Sequence, residues 1–245
     1  MQMMVYGTGK GSFVGNVDNL IPGITFYVRA YAKNSAGYGY GNQQTFTATA
    51  YSGIYNSNLT YGTMSDIDGN TYKTIQIGTQ TWMAENLKTT KYRNGDPIPT
   101  DWSTSTTGAY AIYDNEPGNN TNLGKLYNWY AAVDSRNLCP VGWHVPSSAE
   151  WTILENYLGG SPLAGVKLKS TIYSGATNES GFSALSSGVL SSSSYVFMKS
   201  ANWWSSVESS STFARSFYLS YYLGNSTGMD NWEKQDGLSV RCIKD

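Results

Sequence analysis

Hydrophobic and polar positions along this chain repeat with two periods. After Ser147, the residues Trp151, Leu154 and Leu158 recur at i, i+3 and i+7, an apolar helical stripe. Ser147 suits the N-cap, Glu150 three residues on completes a capping box, and Gly159-Gly160 ends the run. The spacing predicts a helix over 147–158. Alternation marks strands instead. Leu238, Val240 and Cys242 alternate with Ser239, Arg241 and Ile243, so 238–243 reads as a strand with one set on each face. Further strands are expected at 72–77, 182–189, 202–206 and 214–222, a short helical turn at 82–87, and a helix at 126–133.

Residues 1–50 carry a different pattern. Phe26, Val28, Ala30 and Ala32 alternate with Tyr27, Arg29 and Tyr31, and Asn34-Ser35-Ala36-Gly37 supplies a turn before a second strand at 41–49. With a strand at 11–20, this order resembles the last strands of a fibronectin type III domain. Phe26 stands where that family has its corner tyrosine. Only about half of such an all-β sandwich is present, so one apolar face lacks a covering sheet. Either the chain is a fragment of a longer protein, or that face packs on the main domain or on another subunit, which would make a homo-oligomer. The stretch 51–63, rich in Ser, Asn, Gly and Tyr, is the expected linker.

The remainder carries six ordered motifs: Asp66-Ile67-Asp68-Gly69-Asn70-Thr71-Tyr72, the run from Ile77 to Leu87, Cys139-Pro140-Val141-Gly142-Trp143-His144-Val145-Pro146, Ser180-Gly181-Phe182-Ser183-Ala184-Leu185, Trp203-Trp204-Ser205-Ser206, and Ser239-Val240-Arg241-Cys242. Together they resemble the Fibrobacter succinogenes major paralogous domain of Bacteroidetes surface proteins and their phages, over residues 64–245. The resemblance implies an α+β, C-type-lectin-like fold, related to that of formylglycine-generating enzymes. The two cysteines permit a disulfide or two buried thiols. The resemblance places both where the ends of the fold meet and so favours the bond Cys139–Cys242. Its loop of about a hundred residues contributes roughly 4–5 kcal/mol in the chain-entropy model, and it implies an oxidising compartment.

Composition narrows the partners. A net charge of −1 with 13% charged residues gives no electrostatic reason to bind nucleic acid or an anionic membrane. No apolar run approaches the ~20 residues of a membrane helix, so no membrane insertion is expected. The first residues lack the basic start and apolar core of a signal peptide. An extracellular, cell-surface or virion setting is the expectation.

Catalytic groups are thin. His144 is the one histidine, without an accompanying Ser, Cys or carboxylate motif, and reads as structural rather than as a base. Cys139 and Cys242 sit in scaffold motifs, so the reactive cysteine pair of formylglycine-generating enzymes does not carry over. Asp66, Asp68 and Asn70 have calcium-loop spacing, but Thr71 and Ile77 occupy the positions needing Gly and Glu, which favours a turn. Glu116-Pro117-Gly118 and Asp230-Asn231-Trp232 resemble calcium-lectin sugar motifs only loosely, with Asp114, Glu116 and Asp230 as the residues to watch. No metal and no cofactor are expected.

The segment 191–235 holds thirteen serines among tyrosines and Trp232, the chemistry of a paratope. Tyr218, Tyr221, Tyr222, Asn225, Asp230, Asn231 and Trp232 are expected on one exposed surface that binds a host- or cell-surface protein or glycan. Some proteins of the resembled fold are diversified by retroelements, and 215–235 is compatible with such a cassette. The expected function is a non-catalytic ligand- or receptor-binding (adhesion) module. The alternatives are a passive structural domain of a surface protein and, behind it, a formylglycine-generating-type enzyme.

Overall fold

The computed structural model describes residues 7–9, 25–47, 53–102, 106–115, 117–191, 194–196, 200–221 and 224–245. The chain divides into two compact units, Met1–Ala50 and Tyr51–Asp245. In the first, β1 (Thr25–Asn34) and β2 (Gly37–Thr47) form an antiparallel hairpin with Phe26 opposite Phe46. Gly37 has φ 132°, the left-handed side a tight turn requires. The expected strand at 11–20 lies outside the described residues.

The second unit contains β3 (Gly62–Ser65), β4 (Thr71–Ile77), β5 (Gln80–Met83), β6 (Tyr110–Ile112), α1 (Pro117–Leu123), β7 (Lys125–Tyr127), α2 (Trp129–Ala132) and β8 (Trp143–His144). Then come α3 (Ser148–Tyr157), α4 (Leu163–Leu168), β9 (Val189–Ser191), β10 (Ser194–Val196), β11 (Ser200–Glu208), β12 (Phe213–Ser220), β13 (Thr227–Glu233) and β14 (Ile243–Lys244). The main sheets run β3-β4-β5-β14-β8 and β11-β12-β13, with every pairing between named strands antiparallel.

This corrects the expected fold class. Strand takes 40% and helix 14%, so the protein is mainly antiparallel β rather than the α+β, C-type-lectin-like arrangement that the sequence suggested. Two expected helices account for part of the difference. Trp82 and Met83 belong to β5, because Trp82 pairs with both Ile75 and Ile243. At 126–133 the chain first pairs as β7; Asn128 then leaves helical geometry (ψ 164°) and caps the single turn of α2 through the Ala131 N–H.

The helix at 147–158 forms as its pattern predicts. Ser147 Oγ accepts from Glu150 N–H, and the Glu150 carboxylate accepts from Ser147 N–H, a complete capping box. Trp151 and Leu154 are fully buried, and Trp151 stacks on Phe217 with centroids 4.7 Å apart. The Asp66–Asn70 turn also forms, joining β3 to β4. Asp66 accepts from the N–H groups of Asp68 and Asn70 and from Tyr72 OH at 2.6 Å.

Two other expectations change. The stretch 51–63, expected as a linker, belongs to the second unit where it is described. Ile54 O accepts from Ser170 Oγ, and Asn56 Nδ2 donates to Asn178 O. The stretch 182–189 is irregular until β9, because Ser183 (φ 56°) and Gly188 (φ 68°) break an extended run.

The closing segment pairs with β5, β7, β8, β9 and β11 in turn. Gly237 exchanges hydrogen bonds with Leu190, and Leu238 with Tyr127. Ser239 bridges Asn202 and Trp204, Val240 O accepts from Leu87, Cys242 O accepts from Met83, and Ile243 pairs with Trp82 and His144. Residues 237–243 are therefore all buried, and the two-faced strand expected at 238–243 exists only from Ile243. Cys242 is bonded to Cys139, with Cα atoms 6.0 Å apart and no free cysteine remaining.

Arg241, expected on a strand face, is instead a core residue. Its guanidinium lies 4.2 Å from the Phe182 centroid and donates to Asn86 Oδ1 and to the Phe182 and Ser183 carbonyls. Asn86 uses its whole side-chain capacity: Oδ1 accepts from Arg241 and Trp203, and Nδ2 donates to Leu123 O and Ser239 Oγ.

Candidate binding surface

The sheet β11-β12-β13 separates two cores, and strand parity assigns each side chain to one of them. Trp203, Phe217 and Met229 oppose one another across the sheet and pack toward Trp151 and Leu154 of α3. Trp204, Ala214 and Trp232 share the other face and pack with Tyr127, Val189 and Val240.

This parity distributes the expected site residues. Tyr218, Asp230 and Trp232 share the second face; Tyr218 and Trp232 are half-buried and Asp230 is exposed. Tyr218 leans over Gly228, its cross-strand neighbour, where a Cβ would sit 3.2 Å from the ring. Asn231 is exposed but points the opposite way, opposite Arg215. Tyr221 and Asn225 lie elsewhere, at a corner made with Lys169. Tyr222 is outside the described residues, as is Glu116. The expected single surface is therefore two faces of one rim plus a separate corner.

At that corner Lys169 Nζ donates to Asn225 Oδ1 and lies 4.8 Å from the Tyr221 centroid, and Tyr221 contacts Tyr173. Asn225 adopts φ 64°, and its carbonyl approaches Gly165 so closely that any Cβ there would collide with it. Lys169 is 3% exposed, and burial lowers its pKa to about 8.

Among the described residues, two buried polar atoms on the face shared by Tyr218 and Asp230, Ser216 Oγ and Trp232 Nε1, have no hydrogen-bond partner. Strand β13 itself escaped the sequence reading, because Gly228, Asp230 and Asn231 are poor strand formers. Lys169 escaped it too, since an isolated lysine carries no burial signal.

The other candidates lie away from this sheet, and His144, expected without a carboxylate partner, has two. His144 lies between Asp245 (Nδ1–Oδ1 2.6 Å) and Glu150 (Nε2–Oε1 2.8 Å). Burial lowers its pKa, but the hydrogen bonds and charges of Asp245 and Glu150 outweigh this and raise it above the usual value. Asp114 sits in a left-handed turn at φ 58°. Among the described residues no group of three His, Cys, Asp or Glu side chains is placed to hold a metal ion. Among them also, no helix is long and apolar enough to cross a membrane.

These features define a disulfide-closed, mainly β domain whose last segment ties its sheets together. Residues 75–244 match the Fibrobacter succinogenes major domain. The chain belongs to that family. No curated protein and no solved structure matches it.

Proposed function

We propose that the second unit is a non-catalytic ligand- or receptor-binding module presenting the β12–β13 rim to a host- or cell-surface protein or glycan without a metal. One observation carries this reading: on an outer strand Asp230 is exposed on the face it shares with half-buried Tyr218 and Trp232, and Asn231 next to it is exposed on the opposite face. Half-buried aromatics give rigid contact area at low entropic cost, and neighbouring Asp and Asn give adaptable polar contacts. The non-catalytic reading is supported by the cysteines. Both are buried in one bond, so neither offers the thiolate that formylglycine-type oxidation uses. The bond also supports an extracellular, cell-surface or virion location.

Retroelement diversification of 215–235 fits this reading with a restriction. Ser216, Phe217, Leu219 and Thr227 are buried and Tyr221 and Asn225 are held at the Lys169 corner, so variation is best accommodated at Arg215, Tyr218, Asp230, Asn231 and Glu233. A near-repeat of the coding segment beside a reverse-transcriptase gene is the expected genomic mark.

The test is adhesion of labelled protein to bacterial cells and to an array of glycans and surface proteins. Tyr218→Ala and Asn231→Ala should each weaken binding about fivefold or more, with the folded state retained. Binding unaffected by either change, or none at all, favours a passive structural domain.

A further inference from the structure

The two edges of the sheet β11-β12-β13 differ. The β11 edge is occupied: Ser239 N–H donates to Asn202 O, Trp204 N–H to Ser239 O, and Ser206 N–H to Pro146 O. At the other edge, the ladder fixes which groups of β13 point outward. Ser220 N–H donates to Ser226 O and Lys234 N–H to Thr212 O, so even-numbered residues from 226 to 234 turn their backbone toward β12. The odd-numbered residues turn theirs away. Two contacts agree with this parity: Thr227 N–H donates to Ser161 Oγ (3.0 Å) and Asn231 N–H to Asp230 Oδ1 (2.8 Å). Among the described residues, nothing pairs with the outward N–H and C=O of Met229 or with the outward C=O of Asn231.

We infer that β13 is a strand-addition site for an extended polypeptide with lysine or arginine at its flanks. The inference rests on the binding-module reading and names its partner. An outward donor and acceptor on Met229, followed two residues later by the Asn231 acceptor, is the repeat that an added antiparallel strand fills. Asp230 occupies the remaining donor, so the edge is guarded in the free protein, and an incoming strand displaces its carboxylate. Exposed Asp230 and Glu233 select a basic partner. Self-pairing centred on Met229 would set the two Asp230 side chains on diagonal positions of one face, where like charge opposes it.

The probe is an eight-residue peptide of alternating threonine and valine with a lysine at each end. Two controls accompany it: an analogue in which a central N–H is replaced by an ester oxygen, and a version flanked by glutamate. With the lysine peptide, hydrogen exchange at the Met229 amide should slow about tenfold or more, and both controls should bind about tenfold more weakly. Met229→Pro removes an outward N–H without removing a ladder bond and should abolish peptide binding; if this variant does not fold, the ester control decides on the unaltered chain. Unchanged Met229 exchange, or indifference to the ester, overturns strand addition. If Tyr218→Ala and Asn231→Ala still weaken adhesion in that case, the binding module stands and only its partner is wrong. Loss of both results overturns both readings. A dimer in light scattering that protects Met229 without peptide overturns the inference in favour of a second copy.

Discussion

Lys169 shows at the scale of one residue how burial sets chemistry. Its ammonium has an amide oxygen and an aromatic face beside it but no carboxylate, and burial lowers its pKa from 10.5 to about 8. Between those two values the unfolded chain holds a proton that the folded chain has released. Stability therefore rises with pH across that window, and the penalty at neutral pH is on the order of 3 kcal/mol. Lys169→Met should remove this dependence and match or exceed the wild type at pH 7. Denaturant titrations of both proteins at pH 7, 8, 9 and 10 would measure it; parallel curves would contradict the assignment. Arg241 teaches the complementary lesson. Alternation put it on a strand face, and the expectation failed because a period of two assumes one wet side. Here Phe182 and Trp203 cover that side, and Asn86 with two carbonyls accepts from each of its three nitrogens.

Elements were legible where local and tertiary signals agree. Helix α3 has its cap, its stop and its stripe within residues 147–160, and all three act in the fold. Trp151 lies against Trp82, Phe182, Trp203 and Phe217, so Trp151→Ala should cost about 3–5 kcal/mol in chemical denaturation. A cost under about 1 kcal/mol would show that the site collapses around the gap. Elsewhere pairing partners overrode local preference. The stretch 182–189 was expected as a strand, yet it is buried on irregular backbone held by contacts such as Ser183 N–H to Asn178 Oδ1. Strand β13 is the reverse case: unfavourable residues become a strand because β12 is beside them. For the same reason the candidate rim was readable as a list of residues but not as a geometry. Which side chains share a face depends on register, and register was set by a strand that the pattern did not reveal.

For the whole molecule, the disulfide was the long-range contact that the sequence reading placed correctly, and it did so through the family motifs. Thiol titration of unfolded, unreduced protein should find no free cysteine. Reduction should lower stability by about 4–5 kcal/mol in the chain-entropy account of a loop closed across 103 residues. Titration of two thiols in the purified protein would contradict the bond. The chain's two units differ in self-sufficiency. The second has two buried clusters of side chains, whereas Tyr27, Val28, Tyr38, Tyr40 and Phe46 are exposed in the hairpin of the first.

The closing segment also has a consequence in time. Residues 237–243 supply the pairing partners of β5, β7, β8, β9 and β11, yet they are the last of these elements to leave the ribosome. Until they emerge, those strands have no common partner and Cys139 has no thiol to meet. Folding of this domain thus waits for its last segment and carries large loop-closure demands, slow by the measure of its sequence-distant contacts. A nascent chain stalled before Gly237 should remain sensitive to protease along its length, however many of its residues are already outside.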